Sequence, residues 1–144
     1  GAVSVPYRIS ETGRFLLDVS INDGPPRAFS VDTGATISVI YSDYAKASDL
    51  PVSDKTVFVR GLNSQGARPI IEDVSLAVGS QAFPLAFVVL LDSPKLGDEA
   101  IGLLGGDIFH GQIVLFDTAS SRVTFVPRES VDRAAFAGWN RIRL

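Results

Sequence analysis

The sequence predicts an all-β fold, and three observations lead to this prediction. Apolar segments of four to nine residues, rich in Val, Ile and Phe, follow one another at short intervals along most of the chain. Clusters of Gly, Pro, Asn and Asp separate these segments, as at 22–26, and such clusters favour turns. The length of 144 residues, with 46% apolar residues, suits one domain with a real core.

The strands can be placed in order along the chain. The first, Phe15–Ile21, partly alternates, with Leu17, Val19 and Ile21 on one face. The further strands are expected at 27–31, 37–40, 56–59, 69–71, 74–78, 83–91, 113–116 and 123–126. Short helical segments are expected at 43–47, from Asp107 onward and at 129–137.

Composition excludes several classes of function. A net charge of −3 with 20% charged residues offers no basic patch for nucleic acid. The absence of Cys excludes disulfides, Cys-ligated metals and a thiol nucleophile, and the one histidine, His110, excludes a multi-His metal site. The longest apolar run, 85–91, is too short to span a bilayer. Because the chain lacks Met, we expect a trimmed start; a removed signal or anchor would favour the cell envelope or periplasm.

The segment Asp32-Thr33-Gly34 holds an acid in a tight turn between two apolar, β-branched runs. Desolvation disfavours a carboxylate in such surroundings, so its presence there indicates a candidate functional site. An ordinary turn, with Asp bonding its own backbone and Gly supplying positive φ, explains this segment equally well.

A second segment, 100–109, favours the functional interpretation. It contains Leu103-Leu104-Gly105 about seventy residues after Asp32, followed by Asp107 at the start of the expected helix. In this order and spacing, the two motifs resemble those of retropepsin-like aspartic peptidases, over roughly residues 7–127. The resemblance implies a single-lobe acid protease barrel with one short helix after the Leu-Leu-Gly step.

The resemblance also implies the chemistry. Two carboxylates about 3 Å apart share one proton, and together they activate water without metal or cofactor. One chain supplies only Asp32, because Asp18, Asp43, Asp73 and Asp107 lack the apolar, glycine-turned setting. A homodimer with the dyad on its two-fold axis is therefore implied.

Neighbouring residues receive supporting roles from the same resemblance. Thr33 would bond across the two loops of the dimer, and Gly34 would let the substrate backbone approach. Ala35 follows where pepsin-like chains usually place Ser or Thr. Leu104 and Gly105 would run past the catalytic loop, and Asp107 would support it, although a plain helix N-cap explains Asp107 as well.

The polar, glycine-bearing tip between strands 56–59 and 69–71 marks a long hairpin. Its place between Asp32 and Leu104 matches the flap that closes over substrate in aspartic peptidases, although a plain surface hairpin has the same pattern. The flap residues would be Gly61, Leu62, Asn63, Ser64, Gln65 and Gly66. Arg60 and Arg68 flank the tip, and solvated charges are the favoured interpretation for both.

Some features depart from the viral pattern or offer rival sites. Viral members of the retropepsin-like family often place an acid and an arginine at the positions of Thr36 and Gly106. The sequence therefore resembles the cellular and bacterial members of that family more than the viral ones. The segment 117–120, Asp-Thr-Ala-Ser, lacks the Gly of a catalytic loop and is interpreted as a polar turn. His110 could belong to a Ser-His-Asp site, but the sequence contains no nucleophile-elbow motif. His110 is therefore expected on a helix surface.

The sequence thus predicts an aspartic endopeptidase domain at 1–127 and a tail at 128–144 that forms a short helix, a dimer contact or a linker. Its partners would be a peptide substrate and a second copy, with no nucleic acid and no membrane contact from this segment. Two alternatives remain: a non-catalytic module that binds extended peptides by strand addition, and a dimerisation domain that retains the fold.

Overall fold

The structure is a computed structural model, and it describes residues 2–61, 65–94 and 99–130. The strands are β1 (Val3–Pro6), β2 (Arg8–Ile9), β3 (Phe15–Ile21), β4 (Pro26–Val31), β5 (Val39–Tyr41), β6 (Thr56–Arg60), β7 (Gln65–Val78), β8 (Gln81–Leu91), β9 (Gly102–Leu104), β10 (Gln112–Asp117) and β11 (Arg122–Pro127). Two short helices, α1 (Ser42–Ala47) and α2 (Gly106–Phe109), and a 3₁₀ turn at Arg128–Ser130 complete the described elements.

Eight strands form one sheet in the order β2-β3-β4-β9-β5-β8-β7-β6. In addition, β3 pairs with β7. The short strand β9 lies between β4, to which it is parallel, and β5, to which it is antiparallel. This position brings the Leu-Leu-Gly step beside the strand that ends at Asp32. The predicted all-β, single-lobe fold is confirmed.

A second, three-stranded sheet has the order β1-β11-β10. The hairpin of β10 and β11 was expected, whereas β1 and β2 were not. β1 is only four residues long, and it is paired through partners more than a hundred positions away, such as Val5 with Val123. Local pattern cannot show such a pairing, because it depends on where the chain returns in space.

One main core holds the two sheets together. Fully buried side chains from both sheets meet there, among them Phe29, Leu76, Leu104 and Phe125. Phe125 also stacks on Phe109 of α2, with ring centroids 5.9 Å apart. The aromatic contact therefore fixes the short helix between the three-stranded sheet and the main core.

Several element bounds differ from expectation by a few residues. The strands expected at 69–71 and 74–78 are one strand, β7, whose backbone takes a positive φ of 53° at Asp73. Of the helix expected at 129–137, only the part up to Ser130 belongs to the described residues, as a 3₁₀ turn.

Within the part of the chain that the structure describes, no helix is long and apolar enough to cross a membrane.

Candidate active site

The loop that carries Asp32 is fixed by backbone hydrogen bonds. The Asp32 N–H donates to the Leu104 carbonyl at 2.9 Å, which extends the parallel pairing of Val31 with Leu104 by one bond. The Gly34 N–H donates to Asp32 Oδ1 at 3.1 Å, and the Ala35 N–H donates to the Asp32 carbonyl at 3.2 Å. Asp32 is half-buried while Thr33 and Gly34 are exposed, so the turn presents the acid at the molecular surface.

Gly105 lies where the returning chain crosses this loop. A Cβ at Gly105 would come within 2.7 Å of the Ile37 carbonyl carbon and oxygen and 3.1 Å of the Ala35 oxygen. Directly after it, the Gly106 N–H donates to the Ala35 carbonyl at 2.8 Å. The close backbone approach expected at this step is therefore present, and only glycine fits it without displacing the loop.

Ser38 links the loop to both the Leu-Leu-Gly step and α2, a role that the sequence pattern alone did not indicate. Its hydroxyl donates to Asp107 Oδ1 at 2.6 Å and accepts the Gly105 N–H at 3.0 Å, while its own N–H donates to Asp107 Oδ2 at 2.8 Å. Ser38 is fully buried. A serine at the start of an apolar strand is the signal that could have indicated a buried polar contact.

The same contacts bear on Asp107, for which two interpretations were open. The N-cap of α2 is Gly105, and no side chain caps that helix; Asp107 lies inside its first turn with its carboxylate on Ser38. The geometry therefore favours loop support over a plain N-cap.

We expect Ser38→Ala to lower the free energy of unfolding by about 2–4 kcal/mol, because it leaves a carboxylate oxygen and a buried N–H without their partner. Ser38→Thr keeps the hydroxyl and serves as the matched control. Urea unfolding of both variants measures the difference. Equal stability of Ser38→Ala and the unchanged protein would contradict the role given to this hydroxyl.

A row of side chains crosses the sheet on the face opposite the main core. Cross-strand pairing puts its members opposite one another, from β3 through β4, β9, β5 and β8 to β7. The row consists of Leu16, Ser30, Leu103, Val39, Val89 and Ile70. Ser30 lies two residues before Asp32, so alternation along β4 turns both toward this face. The row thus connects the acid to β7, which continues into the expected flap.

The expected flap is a hairpin of β6 and β7, with Val57 opposite Arg68 and Arg60 opposite Gln65. Gly61, Gln65 and Gly66 belong to the described chain, whereas Leu62, Asn63 and Ser64 lie outside the described residues. By strand alternation Val57 and Arg68 share the face of the apolar row, and Arg60 lies on the other face beside Phe58, which is 65% exposed.

The remaining acids and the histidine lie elsewhere. Asp18 pairs with Arg8 at 3.3 Å, and His110 is exposed at the end of α2. Asp117 accepts the Ala119 and Ser120 N–H groups in the β10–β11 turn, and hydrogen bonds from the Ser120 side chain and backbone and from the Ala119 N–H lower the pKa of Asp117. Asp117 is therefore a turn residue.

Among residues 2–61, 65–94 and 99–130, no cluster of three His, Cys, Asp or Glu could hold a metal.

A family profile described as aspartyl protease matches residues 17–108, which spans the acid turn, the hairpin and the Leu-Leu-Gly step. The chain belongs to the aspartyl protease family. A comparison of this sequence with proteins of curated function finds no significant match.

Solved structures show the same fold for this aspartyl protease. A retropepsin-like aspartic protease from Rickettsia conorii is 19% identical over 87% of this chain and 91% of that one, with a TM-score of 0.57. The EIAV protease, complexed with the inhibitor HBY-793, is 20% identical over 69% and 88%, with a TM-score of 0.54. An aspartic proteinase from Irpex lacteus is 17% identical, with a TM-score of 0.55; the match covers 88% of this chain but 47% of that one.

Proposed function

We propose that this protein is an aspartic endopeptidase that hydrolyses peptide bonds with a carboxylate dyad formed across a homodimer. The observation that carries the proposal is Asp32 itself. The turn that carries Asp32 lies at the surface, yet its backbone is held in place by three contacts. These are the bond to the Leu104 carbonyl, the close approach of Gly105, and the hydrogen bonds between Ser38 and Asp107. A binding module has no need for an acid held this rigidly at the end of an apolar strand.

In the proposed mechanism, one Asp32 of the dimer is ionised and the other is protonated. The ionised carboxylate takes a proton from water, and the protonated one donates to the carbonyl oxygen of the substrate, which gives a tetrahedral intermediate. Collapse of this intermediate, with proton transfer to the leaving nitrogen, breaks the peptide bond. No covalent link to the enzyme forms.

Two features support the second copy as the source of the partner carboxylate. Asp32 is the only acid followed by Thr and Gly in the sequence. The exposed Thr33 and Gly34 leave room for a second loop to approach, with the Thr33 hydroxyl bonding across the axis.

Further roles in the proposed enzyme follow from position. The β6–β7 hairpin, with its tip at 61–66, would close over substrate bound beside Asp32. Ala35 would support the acid loop through its backbone bonds to Asp32 and Gly106. The domain would end near residue 127, and Thr36 and Gly106 would place it in the cellular and bacterial branch.

A peptide library incubated with the unchanged protein and with Asp32→Ala tests the proposal against its alternatives. Cleavage by the unchanged protein alone supports the enzyme. Binding of peptides by both proteins without cleavage would instead support the strand-adding module, and neither binding nor cleavage would support a dimerisation domain.

We expect the specific activity to fall on dilution below the dimer dissociation constant, because each chain supplies half of the dyad. Initial rates and sedimentation velocity over the same concentration range measure both quantities. A monomer with full specific activity would contradict the shared dyad.

We expect a bell-shaped dependence of rate on pH, with an optimum at roughly pH 4–6, because the dyad needs one protonated and one ionised carboxyl group. Ala35→Ser adds a hydroxyl that can donate to the ionised carboxylate and should move the acidic limb to lower pH. Rates measured from roughly pH 3 to 8 for both proteins check this, a range that brackets the expected limbs. A flat profile would rule out a carboxylate dyad.

A further inference from the structure

The β6–β7 hairpin carries charge of one sign only. Residues 56–71 contain two arginines, Arg60 and Arg68, and no Asp or Glu, although the whole chain has a net charge of −3. The sequence does not distinguish the two arginines, because both flank the tip of the hairpin. The structure does distinguish them, since they lie on opposite faces of the hairpin.

Arg68 projects from the same face of the sheet as Asp32. Arg68 and Ile70 are two positions apart in β7, so strand alternation turns both side chains to one face. Ile70 pairs with Val89 of β8, and the row continues through β5 and β9 to Ser30 of β4, which shares its face with Asp32. A peptide held at Asp32 therefore lies on the face from which Arg68 projects.

The surroundings of Arg68 do not neutralise its charge. The side chain is half-buried, and on this face β6 presents Val57 and Val59 while β8 presents Val89 and Leu91, none of which titrates. Among residues 2–61, 65–94 and 99–130, no carboxylate forms an ion pair with the Arg68 guanidinium. Partial burial disfavours an unpaired charge, so an incoming carboxylate would be bound favourably.

Glu72 is the acid that follows Arg68 on the same face of β7, and it is bonded elsewhere. The Ser53 hydroxyl donates to Glu72 Oε2 at 3.1 Å, and Lys55 Nζ donates to Oε1 at 3.2 Å. These hydrogen bonds, from Lys55 and then Ser53, lower the pKa of Glu72, so its carboxylate stays ionised and paired to lower pH. The Arg68 guanidinium is thereby left available to a ligand.

We propose that Arg68 determines substrate specificity by binding an Asp or Glu side chain of the peptide that Asp32 cleaves. This inference rests on the proposed function, because it requires a peptide held on this face. The planar guanidinium donates two parallel N–H bonds to a carboxylate, and a side-chain amide cannot accept both in the same way. Preferred substrates would therefore carry an acidic residue near the scissile bond, despite the net negative charge of the protein.

Arg60 provides the matched control. It lies opposite Gln65 on the outer face of the hairpin, and its side chain is exposed. Arg60→Gln removes the same charge from the same hairpin as Arg68→Gln does, but from the face turned away from the peptide. A general electrostatic attraction of acidic peptides to the hairpin would weaken in both variants, whereas direct binding would weaken in Arg68→Gln alone.

Pairs of peptides that differ only in one Glu or Gln test the proposal. Both ends of each peptide are blocked, so that only the side chain carries the charge, and the varied position is moved along the residues on both sides of the scissile bond. At one position at least, we expect kcat/KM for the Glu peptide to exceed that for its Gln twin about tenfold. This ratio should fall to about one in Arg68→Gln and stay within about twofold of its original value in Arg60→Gln. Thermal unfolding checks that both variants fold.

Two further measurements separate a charge contact from a packing effect. Arg68→Glu should reverse the preference, so that a Lys peptide is cleaved faster than the Glu peptide at the same position. The Glu-to-Gln ratio should also be larger at roughly pH 6 than at roughly pH 3.5, because a free Glu side chain ionises with a pKa of about 4.3. The titration of the dyad cancels in this ratio, since both peptides meet the same enzyme. A ratio that does not change with pH contradicts the charge contact.

The outcomes separate this inference from the proposed function. Cleavage that depends on Asp32, with equal rates for Glu and Gln peptides at every position or with a Glu preference that survives in Arg68→Gln, overturns the specificity inference alone. If no peptide is cleaved, the proposed function fails, and fluorescence anisotropy of labelled Glu and Gln peptides then measures the site directly. Tighter binding of the Glu peptide that is lost in Arg68→Gln supports a carboxylate site at Arg68, and equal binding of both peptides overturns it.

Discussion

Replacing Asp32 by Asn is expected to lower peptide hydrolysis by at least about 10²- to 10⁴-fold while the fold is retained. The dyad supplies both the acid and the base, and each is worth about that factor. The amide oxygen of the substituted side chain can still accept the Gly34 N–H, so the turn keeps the bond that Asp32 Oδ1 now makes. Hydrolysis of a fluorogenic peptide measures the rate, and circular dichroism checks the fold.

Asp117→Asn is the matched control for this experiment. Asp117 also precedes a Thr in a turn and accepts two backbone N–H groups, and Asn can take over that contact. We expect this variant to keep the activity of the unchanged protein. Equal activity of Asp32→Asn and the unchanged protein would show that another group performs the chemistry.

The Gly105→Ala substitution is expected to have the second large effect. The added Cβ would come within 2.7 Å of the Ile37 carbonyl, which is backbone and cannot move without shifting the loop that carries Asp32. Overpacking of this kind costs about 1–3 kcal/mol, and for a domain of this size each kcal/mol lowers the melting temperature by about 2–4 °C. We also expect the folded fraction to lose activity, because the displaced loop misplaces the acid.

Gly106→Ala provides a neighbouring control for Gly105→Ala. A Cβ at Gly106 would meet the Ala35 oxygen at 3.4 Å, which is ordinary contact, and Ala suits the first turn of α2 better than Gly does. Differential scanning calorimetry of both variants should show a lower melting temperature for Gly105→Ala alone. The same melting temperature in both would mean that the crossing at Gly105 is looser than the structure describes.

The acid turn and the Leu-Leu-Gly step were predictable because each is a local pattern with a backbone requirement. Asp32 accepts a backbone N–H of its own turn, as Asp often does, and Gly105 lies at a chain crossing that leaves no room for a Cβ. Ser38 was missed because its importance depends on Asp107, which lies 69 residues away. A serine in an apolar segment is compatible with either face of a strand until the partner that bonds its hydroxyl is known.

The sequence by itself determined the all-β class, the position of most strands and the family, because strand alternation, turn residues and the two spaced motifs are properties of short segments. Tertiary structure alone decided that β9 inserts between β4 and β5, that β1 joins β11 and that β10 is left as an open edge among the described strands. These outcomes depend on pairings between distant segments. A strand pairs with the segment that the folded chain brings beside it, or it remains an edge. The residues within the strand do not show which of these occurs.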